Sequence, residues 1–164
     1  MSRKENYFNT VFKNSIIDIE QNPCAAYKIS DIGAEATISK PFDGFGTYQG
    51  QPMYWEGKRT TDVKAFNIKN LFEGERGHQM KYMEHYSTIP NTKTWIVLFC
   101  YIPRKSRVYV FTYDAIKKVY ESGEISIKKK ILEQLPYVLI KKDRVDKIEE
   151  ITYHVYSKQM LSSS

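Results

Sequence analysis

Between Glu5 and about Glu20 the apolar residues Phe8, Val11, Phe12, Ile16 and Ile19 recur at spacings of three and four, the stripe of an amphipathic helix that docks one face on a sheet. Pro23 sets its end near Gln21-Asn22, because the residue before a proline is pushed out of helical space. Cys24 to Ile29 reads as a short strand and Asp31 to Ala34 as a turn. Ala36 to Tyr48 is extended but interrupted by Gly44 and Gly46, where a bulge, a close approach of ligand or plain strand irregularity would each fit. The stretch Lys40 to Lys58, KPFDGFGTYQGQPMYWEGK, turns back on itself as a β-hairpin. Beyond it, Arg59 to Lys64 is polar and loop-like, and Ala65 to Leu71 fits either a turn or a short helix.

Glu75 to about Tyr86 has the helical period, with Arg76, Gln79, Met83 and Tyr86 on one side; Pro90-Asn91 closes it. Thr94 to Ile102 and Arg107 to Tyr113 are rich in β-branched and aromatic residues and are joined by Pro103-Arg104-Lys105-Ser106, a second hairpin. Asp114 caps a short helix through Tyr120. Ile125 to Leu135 then reads as a helix led in by Ser126, Tyr137 to Ile140 as an edge strand, Asp146 to Gln159 as a final helix and Leu161 to Ser164 as a frayed tail. Helix, strands, hairpin, helix and hairpin in that order predict an α/β sheet packed by helices. There is no internal repeat and no linker, so residues 1–164 are expected to form one domain, with its core over about 5–130 and peripheral elements over 131–160.

Composition narrows the function classes. A hydrophobic fraction of 41% with 13 Tyr and 8 Phe excludes a disordered chain. The net charge of +6 favours an acidic partner such as nucleic acid or an anionic surface, while a merely soluble basic domain fits equally well. Cys24 and Cys100 lie in apolar runs without metal-ligand spacing, as expected of reduced core thiols in a cytoplasmic protein; a single disulfide stays open. No apolar run approaches the roughly 20 residues of a membrane span, and the polar N-terminus lacks the pattern of a signal peptide.

The first hairpin concentrates the chemistry. Residues two apart in a strand share a face, so Glu56 and Lys58 point one way while Trp55 and Gly57 point the other. With a loop at Gly50-Gln51, Asp43 falls opposite Lys58; with a loop at Gln49-Gly50 it falls opposite Glu56. Either register brings Asp43 to the face of Glu56 and Lys58, whereas a slip of one residue sends it to the other. Neighbouring carboxylates repel unless a cation or proton lies between them. Magnesium takes one or two protein carboxylates and completes its shell with water and phosphate oxygens, and a lysine two residues on supplies fixed positive charge for phosphodiester hydrolysis. The bland alternative is a same-face ion pair on an exposed strand.

The flanking residues resemble a known family. Pro41-Phe42-Asp43 followed by Glu56-Gly57-Lys58 is similar to the core of PD-(D/E)xK nucleases, and Phe66, Asn70, His78 and Gln79 in AFNIKNLFEGERGHQMKYM narrow the resemblance to RecU-type Holliday junction resolvases and their phage relatives. It covers about residues 5–130, with its specific part from Asp43 to Met80. The resemblance implies a restriction-endonuclease-like α/β fold, a central mixed β-sheet flanked by helices. It also implies a DNA endonuclease of recombination and repair in which Asp43 and Glu56 ligate magnesium or manganese, Lys58 assists the hydrolytic water and Gln79 helps orient it. A homodimer acting on a four-way junction is expected, since two symmetric cuts suit a two-fold assembly. The chain departs from the pattern at Asn9, where relatives often carry a glutamate, so that either this role is absent or Glu5, one turn earlier, replaces it. It also departs in the short Asp31 to Lys40 segment, which in junction resolvases is longer.

Lys13, Arg59, Lys64, Lys69 and Arg76 flank the site and are the candidates to meet DNA phosphates. Lys128-Lys129-Lys130 and the cluster of Lys141, Lys142, Arg144 and Lys147 are by default solvated faces. His78 and His85 are seven apart, unlike the usual zinc pairs on a helix, and read as surface residues. Tyr48, Tyr54 and Trp55 could stack on unpaired bases, although Trp55 suits the core better. The competing functions are a restriction-like or repair nuclease on duplex DNA and a catalytically silent DNA-binding module.

Overall fold

The computed structural model describes residues 9–10, 12–13, 25–29, 42–48, 50–74, 77–102, 105–143 and 154–155. They form a seven-stranded sheet whose spatial order is the chain order: β1 (Ala25–Lys28), β2 (Gly44–Tyr48), β3 (Gln51–Thr60), β4 (Lys93–Ile102), β5 (Lys105–Thr112), β6 (Val138–Asp143) and β7 (His154–Val155). All neighbours are antiparallel except β3 and β4, which run parallel. A parallel pair needs a crossover. It is supplied by a 3-10 turn (Val63–Ala65) and the helices α1 (Ile68–Glu73) and α2 (Gly77–Ser87). Helices α3 (Tyr113–Glu121) and α4 (Lys129–Leu132) follow β5.

The parallel register fixes which side chains share a face. Trp55, Gly57 and Arg59 stand beside Trp95, Val97 and Phe99, while Glu56, Lys58 and Thr60 stand beside Ile96, Leu98 and Cys100. On the first face Phe12, in the helical N-terminal segment, meets the rings of Trp55 and Phe99 edge-on at 5.4 and 6.2 Å. On the second face Ile96, Leu98, Cys100 and Phe111 pack with Val63, Ile68, Leu71, Met80, Met83, Ile116 and Val119 from the crossover and α3. Strand β4 is therefore buried on both sides from Lys93 to Cys100, as expected for the sheet's middle.

Several expectations shift once neighbours are present. Arg59 and Thr60, read as loop, continue β3 by pairing with Phe99 and Cys100. The ambiguous segment around Ile68 is helical, with the Asn67 side chain accepting from the Asn70 N–H at 3.2 Å. The cap of α3 is Thr112, not Asp114: its hydroxyl accepts from the Ala115 N–H at 3.2 Å, and Asp114 instead places its charge in the first turn, favourable to the helix dipole. The helix expected over Ile125 to Leu135 shrinks to α4, because Ser126 bridges to Asn67 and the Ile125 carbonyl accepts from the Ile68 N–H. Strand β6 is not at the edge, since His154 and Val155 pair with Lys141 and Ile140. That pairing also overturns the final helix at those two residues; the rest of Asp146 to Gln159 and the expected tail lie outside the described residues.

Candidate functional site

Tyr48 pairs with Gln51, leaving residues 49–50 as a two-residue loop with Gly50 at φ 75°. Of the two loops open in the sequence, this is the one at Gln49-Gly50, and its regular ladder ends at Gly44 and Trp55. Just before β2 the ladder is irregular. Gly44 is the register partner of Trp55, yet the Asp43 N–H also donates to the Trp55 carbonyl at 3.0 Å. Two residues thus oppose one, as in a β-bulge, a device that re-aims a side chain. Gly44 is required there: a Cβ would lie 2.1 Å from the Trp55 ring.

The bulge delivers Asp43 to the backbone of the Glu-Gly-Lys segment, where the Gly57 N–H donates to its Oδ2 at 2.8 Å. Lys58 Nζ donates to Glu56 Oε1 at 2.6 Å and to Gln79 Oε1 at 3.1 Å. Asp43 and Glu56 are 0% and 1% exposed, and the Lys58 side chain 13%. Gln79 is buried in the first turn of α2. Glu56, Lys58 and Gln79 are thus joined on one face of the sheet, and Asp43 is anchored at the Gly57 N–H between Glu56 and Lys58 in the chain, with formally two negative charges against one positive. Burying such a set is costly unless further positive charge compensates. The atoms Asp43 Oδ1 and Glu56 Oε2 are buried hard oxygen donors, the type a magnesium or manganese ion takes. Among the described residues no group of three or more His, Cys, Asp and Glu gathers.

Asn9 lies elsewhere. Its Oδ1 accepts from Trp55 Nε1 at 3.1 Å, and a Cβ on Gly57 would stand 2.2 Å from that oxygen. It is buried on the Trp55 face, across the sheet from Glu56 and Lys58, and holds β3 from behind; Glu5 lies outside the described residues. Two contributors were not visible as such in the sequence: the Gly57 N–H, which anchors Asp43, and Asn9 as a fastening for Trp55. The glycine between Glu56 and Lys58 was the one available signal.

The basic candidates are spread over both layers. Lys64 and Lys69 are exposed on the crossover covering the Glu56 and Lys58 face; Arg59 is exposed and alternates to the other face; Lys13 follows Phe12 on the opposite layer; Arg76 is outside the described residues. His85 is exposed, and Trp55 is wholly buried. Tyr48 is buried beside Trp95, whereas Tyr54 is half-buried on the face of Glu56.

A mixed sheet with helices on its faces, carrying an aspartate before one strand and a Glu-x-Lys within the next, defines a restriction-endonuclease-like fold of the PD-(D/E)xK type. The model of one such family, Recombination protein U (RecU), a Holliday junction resolvase family, matches residues 8–156, and the chain belongs to that family. Membership places it among the nucleases of DNA recombination. No match is found among curated proteins.

Proposed function

We propose that the chain is a divalent-metal-dependent endonuclease that cuts branched DNA, most specifically four-way junctions, as a homodimer in the cytoplasm where such DNA is found. The observation that carries the reading is the burial of Asp43 and Glu56 beside a lysine held by Gln79. Asp43 and Glu56 would hold magnesium or manganese, which when bound lowers the pKa of a water and offsets charge developing on the phosphate. The protein's own part is positioning. The Gly57 N–H fixes the Asp43 carboxylate. Gln79 and Glu56 hold Lys58 from two sides, so that its ammonium meets the phosphate or the attacking water without reorganisation. Exposed Lys64 and Lys69, with Lys13, Arg59 and Arg76, would bind backbone phosphates. Two-fold symmetry would supply the paired cuts.

The test is incubation with magnesium and a set of four-way, flapped and linear duplex DNAs, for the native sequence and for Asp43→Asn. The native protein is expected to cut the junction in preference to the linear duplex. Asp43→Asn should lose cleavage by at least ~100-fold while keeping junction binding, because the basic surface is untouched. Equal cutting of linear and branched DNA would remove the junction claim, and equal cutting by both proteins would remove the site.

A further inference from the structure

Two stretches far apart in the chain meet on the helical layer, and lysines gather where they meet. Asn67, the cap of α1, forms an antiparallel bridge with Ser126, and the Ile68 N–H donates to the Ile125 carbonyl at 2.8 Å. Ile127, next along, is wholly buried in the core that holds Ile68 and Leu71, so the join is fixed from below. Within four residues of the bridge lie Lys64 and Lys69 on one stretch and Lys128, Lys129 and Lys130 on the other, all five exposed. Along the sequence these are two separate groups, the second a solvated run by default. The fold gathers them about one point of the surface.

Within the same span stands one acidic residue, Glu124, and it is taken by Lys128 at 3.1 Å. Lys64, Lys69, Lys129 and Lys130 make no ion pair among the described residues. Bringing like charges together works against the compact state. A solvated face accounts for a lysine run on one element, but not for two elements converging with so little acidic compensation. What suits such a surface is a polyanion with closely spaced charges. Duplex DNA carries one negative charge per roughly 1.7 Å of its axis. The patch also follows directly on the candidate site, because the chain leaves β3 after Lys58 and reaches Lys64 on the layer that holds Gln79.

We propose that Lys64, Lys69, Lys129 and Lys130 grip the phosphate backbone of a duplex arm outside the bond being cut, with Lys128 held back by Glu124. The inference rests on the nuclease reading above and deepens it by adding the Lys128–Lys130 run to the DNA surface. Phosphate contacts fix register and orientation without carrying sequence information. The patch therefore orients an arm and leaves the choice of bond to the site.

The experiment uses native protein in EDTA, so that nothing is cut, with a four-way junction and a linear duplex as probes. Amine labelling read from each lysine's own peptide is expected to fall at Lys64, Lys69, Lys129 and Lys130 when DNA binds. Each phosphate contact adds about 0.9 to the slope of log affinity against log salt. Lys129→Gln with Lys130→Gln should therefore reduce the slope by about 1.8, Lys129→Arg with Lys130→Arg should keep it, and Glu124→Gln should raise it by about 0.9. Matched thermal melts are expected to show an intact fold for these exposed positions. Unchanged labelling and an unchanged slope in the double Gln variant overturn the patch even if the native protein cleaves junctions. Protection by vesicles of anionic phospholipid but not by DNA overturns it in favour of a membrane surface. Protection by DNA and the reduced slope, alongside a native protein that cuts no DNA in magnesium, sustain the patch and remove the nuclease reading instead.

Discussion

Gly57 does two jobs that a side chain would prevent. Its N–H holds Asp43 on one side of the strand, and its bare Cα admits Asn9 and Phe99 on the other, where a Cβ would come within 2.2 and 2.7 Å. Asn9 was open in the sequence as a stand-in for an acidic site residue, because alignment along a helix says nothing about which sheet face the helix covers. Its contact with Trp55 places it on the face away from Glu56 and Lys58. Asn9→Ala leaves the buried indole N–H without that acceptor and is expected to cost about 1–3 kcal/mol of stability, read as a lower denaturant midpoint, with cleavage per folded molecule retained. A loss of cleavage without a loss of stability would return Asn9 to the site. Cys100 offers a pH test. Burial, and then the charge of Asp62, push its thiol up to about 12 from an ordinary 9.0. An acid whose pKa is raised by folding stabilises the native state below its unfolded pKa and loses that contribution as pH rises, here between about 9 and 12. In native protein at pH 8–9 Cys100, read from its own peptide, should resist thiol alkylation and become labelled in denaturant; equal labelling of Cys100 in both states would contradict its burial.

The hairpin β2–β3 is the element that makes the site, and its register is decided by two glycines. Gly50 takes the positive φ of the loop, and Gly44 lets the chain bulge against Trp55 so that Asp43 turns toward Gly57. Gly50→Val forces a β-branched residue into left-handed space and is expected to lower stability by about 1–2 kcal/mol, with cleavage falling in step if the register slips. Unchanged stability would mean that the turn does not set the register. The hairpin was legible because alternation and a Gly-containing turn are local signals; which of two loops formed was not, because both satisfied the same alternation. The second half of the chain shows the converse. Ile125 to Leu135 has helical composition, yet Ser126 and Ile125 are drawn into pairing with Asn67 and Ile68, and His154-Val155 adds to β6 rather than to a helix. Pairing partners far along the chain override weak local preference there.

At the scale of the whole molecule, the site is two buried carboxylates and one lysine in a chain of net charge +6. Binding of a divalent ion to the folded state alone raises stability by mass action. Magnesium or manganese at millimolar concentration is therefore expected to raise the melting temperature of the native protein, EDTA to reverse it, and Glu56→Gln to show no rise; a shift of equal size in Glu56→Gln would place the ion elsewhere. The sequence by itself determined the α/β alternation, the two hairpins, the helix bearing Gln79 and the common face of Glu56 and Lys58. Each follows from side-chain period and turn chemistry over a few neighbouring residues. Only the tertiary structure decided that Asp43 reaches the Gly57 N–H through a bulge, that Lys58 is held by Gln79, that Asn9 backs Trp55 from the far face and that Tyr54 and Tyr86 pack beside Phe42. Those facts depend on how helices dock on a parallel strand pair whose partners lie some forty residues apart, a choice made by burial across the whole core and not by any local pattern.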